Sequence, residues 1–361
     1  MPHWDFGCFE RWVYNRAQVV LETNGIPRIE RIAPTAAIPG GDVTIHGRGF
    51  GAHTGVRPRV RFGESEGGLL VASDNYLIAR VPDGAAGGSV RVATSRAESQ
   101  PFSMHIGVQI ADNLHPVANP AVDAEGNIYV TFSGQRGQRV PVSLYKITPN
   151  YTVKPYVTKL INPTGLALDR EGVLYVSCRD DGTIFRIARD GQPEHWAEGM
   201  GVATGLAFDR DGNLFVGDRS GTIFKISPNK EIFVFATLEP SVAAYHLAFN
   251  PGGDLFVTGP TTSSFDRVFR ISQQGEITTF YRGLGRPQGM AFDGAGNLYV
   301  TASLAGRRGI VRIAPDGHAE LALAGNGLVG LALPAGHRAV LATSGAVYSL
   351  DWEVEGLSLP S

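Results

Sequence analysis

The sequence predicts an all-β protein whose larger part is a six-bladed β-propeller, and three observations carry that prediction. An apolar strand that runs into Asp-x-x-Gly and straight on into a second apolar strand recurs six times. The copies read NPAVDAEGNIYV, TGLALDREGVLYV, TGLAFDRDGNLFV, YHLAFNPGGDLFV, QGMAFDGAGNLYV and, degraded, VGLALPAGHRAVL. Their Asp-equivalent positions, Asp123, Asp169, Asp209, Asn250, Asp293 and Pro334, are spaced by 46, 40, 41, 43 and 41 residues. A further strand follows each copy: LYKI, IFRI, IFKI, VFRI, IVRI and VYSL. A fixed period near ~40 residues with several short strands per unit belongs to a propeller.

Each part of the repeat has a mechanical reason. The aspartates accept hydrogen bonds from backbone amides a few residues on and close the turn. Gly126, Gly172, Gly212, Gly253 and Gly296 supply the positive φ that the hairpin needs. Tyr129, Tyr175, Phe215, Phe256 and Tyr299 share one position in the second strand, where an aromatic ring wedges between blades. Lys146, Arg186, Lys225, Arg270 and Arg312 alternate with apolar neighbours in the third strand, which leaves one face solvated. Fourth strands such as HWAEGM and IFVFATL complete the unit. The last repeat ends soon after VYSLDW without one, so the segment around 106–112 is expected to supply it and close the ring. Blades then begin near residues 119, 162, 203, 244, 286 and 328.

Residues 26–106 read as a separate unit ahead of the propeller at 107–361. Short alternating strands are broken by Gly-Gly, Pro-Asp-Gly and Gly-rich turns, the pattern of an immunoglobulin-like β-sandwich. Gly49 and Gly63 are expected at turns or bulges, and Phe50 and Phe62 in the core. Residues 1–25 are an N-terminal segment. In it Phe9, Trp12, Val13, Ala17, Val20 and Leu21 fall at helical spacing over 5–22. That stripe either packs on the protein itself or docks a partner.

These residues carry two resemblances. The six repeats resemble NHL-repeat propellers and, more loosely, the SMP-30/gluconolactonase superfamily. Residues 26–106 resemble an IPT/TIG domain, through Pro27-x-Ile29-x-x-Ile32-x-Pro34, Gly40-Gly41, Gly47, Gly49-Phe50, Phe62-Gly63 and Val81-Pro82. The propeller resemblance implies a bacterial protein and fixes no function, because one scaffold hosts hydrolases, lyases and binding platforms. The IPT/TIG resemblance implies a spacer or interface.

Bulk properties exclude several classes. At 361 residues the chain exceeds one typical domain, and 43% hydrophobic content with 46 glycines suits a turn-rich all-β protein. A net charge of −2 recruits neither nucleic acid nor acidic membrane globally. The two cysteines, Cys8 and Cys178, form no disulfide framework and read as free thiols. No apolar run is long enough to cross a bilayer. The N-terminus has no basic head or continuous apolar segment and so reads as cytoplasmic, against the frequent export of such propellers.

Catalytic constellations are missing where the family would place them. The SMP-30-like resemblance implies carboxylate and asparagine ligands for a divalent cation at the channel mouth. The corresponding positions here are Ala118, Thr164, Thr204, Tyr245, Gln288 and Val329, with only Asn119 and Asn162 nearby. No metal and no cofactor is therefore expected. Ser177 and Ser303 follow second strands without a nucleophile elbow or ordered triad. Tyr245 and His246 replace the Thr-Gly of sister repeats, and either plug the channel or contact a ligand.

A concentration of arginine remains. Loops after the second strands, with the loop before Gln288, offer Arg136, Arg139, Arg179, Arg219, Arg267, Arg286, Arg307 and Arg308 against Asp180, Asp181, Asp218 and Asp266. They are either solvated pairs on loop tips or a docking face for an acidic protein, a carboxylated sugar or a nucleic-acid backbone. With Phe265 and Tyr245 as essentially the only aromatics there, RNA ranks low. The binding candidates are thus Arg179, Arg219, Tyr245, His246, Arg267, Arg286, Gln288, Arg307 and Arg308. The expectation is a non-catalytic binding or assembly module, possible oligomers included, that holds a protein or an anionic small ligand. The alternative is a hydrolase or lyase with an altered site.

Overall fold

A computed structural model describes residues 26–51, 56–85, 87–135, 137–263 and 265–357. The amphipathic stretch over 5–22 and Arg136 lie outside the described residues. Every described regular element is a β-strand.

Six blades of four antiparallel strands follow the six repeats, and the sheet of blade 5 is extended to six strands by two short strands from the N-terminal unit. Blade 1 comprises Ala121–Val122, Ile128–Thr131, Leu144–Ile147 and Val153–Val157. The inner strands of blades 2 to 6 are Pro163–Leu168, Ala203–Phe208, His246–Phe249, Met290–Phe292 and Leu328–Ala332. Blade 6 has only three strands of its own, and Val108–Asp112 supplies the fourth. It runs antiparallel to Ala346–Asp351, with Val108 opposite Ser349 and Asp112 opposite Ala346. The ring therefore closes with strands far apart in sequence, and no blade is left incomplete.

The repeat chemistry does what its residues dictate. In blade 1 Asp123 Oδ1 accepts from the Asn127 amide at 2.7 Å while Oδ2 accepts from the Tyr129 hydroxyl at 2.9 Å. Asp209 and Asp293 bind Asn213 and Asn297 in the same way. The second-strand aromatics pack edge-on between blades. Tyr175 lies 5.0 Å from Phe208, Phe215 lies 5.1 Å from Phe249, and Phe256 lies 4.8 Å from Phe292. Tyr299 meets Trp352 instead, and the chain beyond Trp352 pairs with blade 5, where Gly294 N donates to Glu355 O at 2.9 Å.

Near the axis the inner strands approach backbone to backbone. A Cβ on Gly165 would sit 2.1 Å from Thr204 O, and one on Gly205 would sit 2.4 Å from Tyr245 O, so any side chain there pushes two blades apart.

The N-terminal sandwich packs Arg28–Ala33, Asp42–Arg48, Tyr76–Arg80 and Gly68–Ala72 against Ser65–Glu66, Arg59–Phe62, Ser89–Ala93 and Phe102–Ser103. Phe50 and Phe62 are fully buried in the core between these sheets. The sandwich joins the propeller through hydrogen bonds. Ala36–Ala37 pairs in parallel with the outer strand of blade 5, opposite Leu323 and Ala324, and His105–Ile106 adds alongside. The approach is so tight that a Cβ on Gly41 would meet Ala324 O at 2.4 Å.

Candidate functional site

The interblade loops and the loops after the second strands open on one face, as the repeat predicts. At the channel mouth they enclose a cavity of about 150 Å³. Thr164 and Thr204 enter from the inner strands of blades 2 and 3, and Arg179 and Arg219 from the ends of their second strands. His246 opens the inner strand of blade 4, and Gln288 precedes that of blade 5. Val117, Ala243 and Ala244 complete the wall, and no carboxylate contributes to it.

Backbone carbonyls orient both arginines. Arg179 Nη2 donates to Gly134 O at 3.3 Å, and Arg219 Nη2 donates to Val242 O at 3.1 Å. Three of the four opposing aspartates are engaged elsewhere. Asp218 Oδ1 accepts from Val202 N at 2.8 Å, and its other oxygen accepts from the Ser220 hydroxyl. Asp266 Oδ1 accepts from Thr261 N and Oγ1, and Asp181 Oδ1 accepts from Thr183 N. These three acids thus accept from neighbouring loop groups, and Arg179 and Arg219 are the charged side chains of the cavity wall.

His246 is 4% exposed, and burial alone lowers its pKa to about 4. The imidazole is therefore neutral at physiological pH and offers one donor and one acceptor nitrogen. Thr204 Oγ1 is committed between blades, donating to Gly217 O at 2.8 Å and accepting from Tyr245 N at 3.1 Å.

The remaining predicted residues do not converge on this cavity. Tyr245 is a correction: its ring is 2% exposed in the core between blades 3 and 4, and its hydroxyl donates to Glu239 O. The ring fills the space over Gly217 and Gly259, which lack side chains, and does not belong to the cavity lining. Arg307 Nη2 turns away to Ala33 O of the sandwich at 3.0 Å, and Arg267 faces Glu239 at 4.0 Å. Arg286 and Arg308 are exposed and stand outside the lining.

The donor set does not fit the divalent cation that the SMP-30-like fold implies. Hard cations take charged oxygens, whereas this wall offers hydroxyls, one amide, a single imidazole and two guanidinium groups. Both nearby asparagines are consumed as well. Asn119 bonds Met290 O and Leu331 N, and Asn162 bonds Gly137 N, Gly134 O and Gln135 O. Among the described residues no group of three His, Cys, Asp or Glu side chains is placed to hold a metal ion. Millimolar calcium or zinc is accordingly expected to leave the melting temperature unchanged. A metal-dependent rise that disappears in Gln288→Ala would overturn this assignment.

Nucleophile candidates are also used structurally. Ser177 Oγ accepts from Gly165 N at 2.8 Å and donates to Thr204 O, tying blade 2 to blade 3. Burial, with Asp181 nearby, pushes the Cys178 thiol up to about 12, which leaves it unreactive. No helix among the described residues is long and apolar enough to cross a membrane.

Residues 27–106 match the IPT/TIG domain model. The chain matches no curated protein in sequence. Among solved structures it resembles a gluconolactonase from Xanthomonas campestris, with a TM-score of 0.58 at 16% identity, over 68% of this chain and 89% of that one. It also resembles an auxiliary nutrient binding protein from Bacteroides ovatus, with a TM-score of 0.52 at 12% identity, over 90% and 97% of the two chains. A third similar structure is a catalytically inactive variant of virginiamycin B lyase from Staphylococcus aureus, with a TM-score of 0.51 at 15% identity, over 82% and 99%. The chain thus carries an IPT/TIG match over residues 27–106 ahead of a six-bladed β-propeller, and identities this low carry the fold without the activity.

Proposed function

We propose that the propeller is a ligand-binding module that holds a small anionic group at the channel mouth, with the IPT/TIG domain clamped to blade 5 as a spacer. One observation carries this reading. The cavity brings Arg179 and Arg219 together beside Gln288 and neutral His246 with no carboxylate in its wall. Guanidinium groups held by backbone carbonyls are oriented in advance for a carboxylate, which they bind through charge-assisted hydrogen bonds. The volume equals about five water molecules, enough for the acidic end of a carboxylated sugar or of an acidic side chain. An enzyme of the hydrolase or lyase class is the second reading, favoured by a histidine inside the cavity. An imidazole with a pKa near 4 is nevertheless a weak base at neutral pH, and this favours binding over chemistry.

Glucuronate is a suitable probe, with glucose as its neutral control. Titration calorimetry should show glucuronate binding that weakens as salt rises. Arg179→Gln with Arg219→Gln should weaken it about 100-fold, since each charge-assisted hydrogen bond is worth roughly 1.5 kcal/mol. Equal binding of both sugars, or a double variant that binds normally, would refute the reading. Hydrolysis of a sugar lactone that His246→Ala abolishes would establish the enzyme instead.

A further inference from the structure

The larger cavity, about 620 Å³, opens on the opposite face between the Asp-x-x-Gly hairpins of blades 3 and 4. Its size falls within the roughly 300–1,000 Å³ range of small-molecule sites. Phe208, Phe215, Phe235, Phe249 and Phe292 form its apolar wall, Lys225 and Arg210 contribute cations, and Asp209 and Asp211 lie at the hairpin end of the lining. Phe215 packs edge-on to both Phe235 at 4.9 Å and Phe249 at 5.1 Å, so the wall is held in place. The rim is tied down too. Arg210 Nη2 donates to Pro251 O at 2.9 Å across the two hairpins, and Gln273 Nε2 donates to Gly252 O at 3.0 Å.

Comparison between blades shows which third-strand cations lack an acid: Lys146 in blade 1, with Lys154 opposite and Asn127 at the hairpin, and Lys225 in blade 3. The basic residue of the third strand meets an acid in blades 2, 4 and 5, as Arg186–Glu194 at 3.1 Å, Arg270–Asp254 at 2.5 Å and Arg312–Glu320 at 3.1 Å. Two positions supply that acid. One lies directly across the strand pair, as Glu194 and Glu320 do, and the other closes the first hairpin, as Asp254 does. In blade 3 both are neutral: Phe233 stands opposite Lys225, and Asn213 occupies the hairpin position, bonded to Asp209. Lys225 forms no ion pair among the described residues, and its amine lies over the Phe215 ring, 5.7 Å from the centroid. Tyr129 and Tyr299, the counterparts of Phe215 in blades 1 and 5, direct hydroxyls at Asp123 and Asp293. Phenylalanine at this position keeps the wall apolar.

From this arrangement we infer a second ligand site, independent of the channel mouth, that takes an apolar ring-bearing carboxylate. The ring lies among the phenylalanines, where edge-to-face contacts are available. The carboxylate meets the Lys225 ammonium, which has no ion-pair partner among the described residues, and the ligand's acid end points away from Asp209 and Asp211.

The full chain should be titrated with 2-naphthoate and with neutral 2-naphthylmethanol, following ligand fluorescence. Naphthoate should bind saturably and at least tenfold more tightly than the alcohol. Lys225→Met should abolish that difference, Lys225→Arg should keep it within about threefold, and Arg219→Gln should leave it intact. A cooperative melt for each variant shows that it is folded. No saturable binding, equal affinity for acid and alcohol, or a Lys225→Met variant that retains the preference would each overturn the inference. Loss of naphthoate binding in Arg219→Gln would do the same, because it would assign the probe to the channel mouth.

Discussion

Replacing Ala111 with aspartate is expected to open the ring. Ala111 lies on the strand that closes blade 6, opposite Val347, and is buried with Leu114, Ile128, Val130, Ile147 and Val340. This cluster is where the two ends of the propeller meet, so its packing contributes the closure that a single blade cannot. An unpaired charge left in an apolar interior costs roughly 3–5 kcal/mol, a large share of the stability of a typical domain. Urea unfolding should show a midpoint lowered accordingly, or a separate early transition. Gln109→Asp, on the exposed side of the same strand, should change little. If the two variants unfold alike, closure by Val108–Asp112 is not what holds the propeller together.

The second large effect is a pH dependence written into His246. Burial lowers its pKa to about 4 in the folded protein, against an ordinary value of 6.5. Between these values the unfolded chain takes up a proton that the folded chain refuses. The contribution is therefore complete above about pH 6.5 and is lost as pH falls towards 4. A gap of roughly 2.5 units at about 1.4 kcal/mol per unit comes to about 3 kcal/mol. Over that window the native protein should lose about 3 kcal/mol more stability than His246→Gln, measured by denaturant unfolding at each pH. Parallel stability curves for the two proteins would show that the imidazole protonates freely in place.

Much of this molecule was legible in the chain because repetition makes its signals local. The Asp-to-amide turn, the hairpin glycine and the second-strand aromatic all act within one blade or between adjacent ones, so periodicity reports them directly. The missing fourth strand after Trp352 was legible for a related reason. An unpaired sheet edge is costly enough that some other segment must cover it, and Val108–Asp112 is what precedes the first blade. Phe50 and Phe62 were readable as core from the alternation of the sandwich strands.

The site was only half visible. Sequence order places nine candidate residues on one face, yet side-chain direction separates them. Arg179, Arg219, His246 and Gln288 converge, while Tyr245 turns into the interblade core and Arg307 reaches the sandwich. Tyr245 immediately precedes the strand that His246 opens, and the two side chains part company there: the Tyr245 ring enters the core between blades 3 and 4 while His246 lines the cavity. The groove under blades 3 and 4 left a trace in the sequence, the absence of an acid opposite Lys225. The trace gains meaning only when the register places Phe233 and Asn213 where blades 2, 4 and 5 keep a carboxylate at one position or the other. Composition and spacing therefore fix the blades, whose stability rests on contacts close in sequence. Which charges remain uncompensated depends on loops from three or four blades meeting in space, and those distances do not exist until the ring has closed.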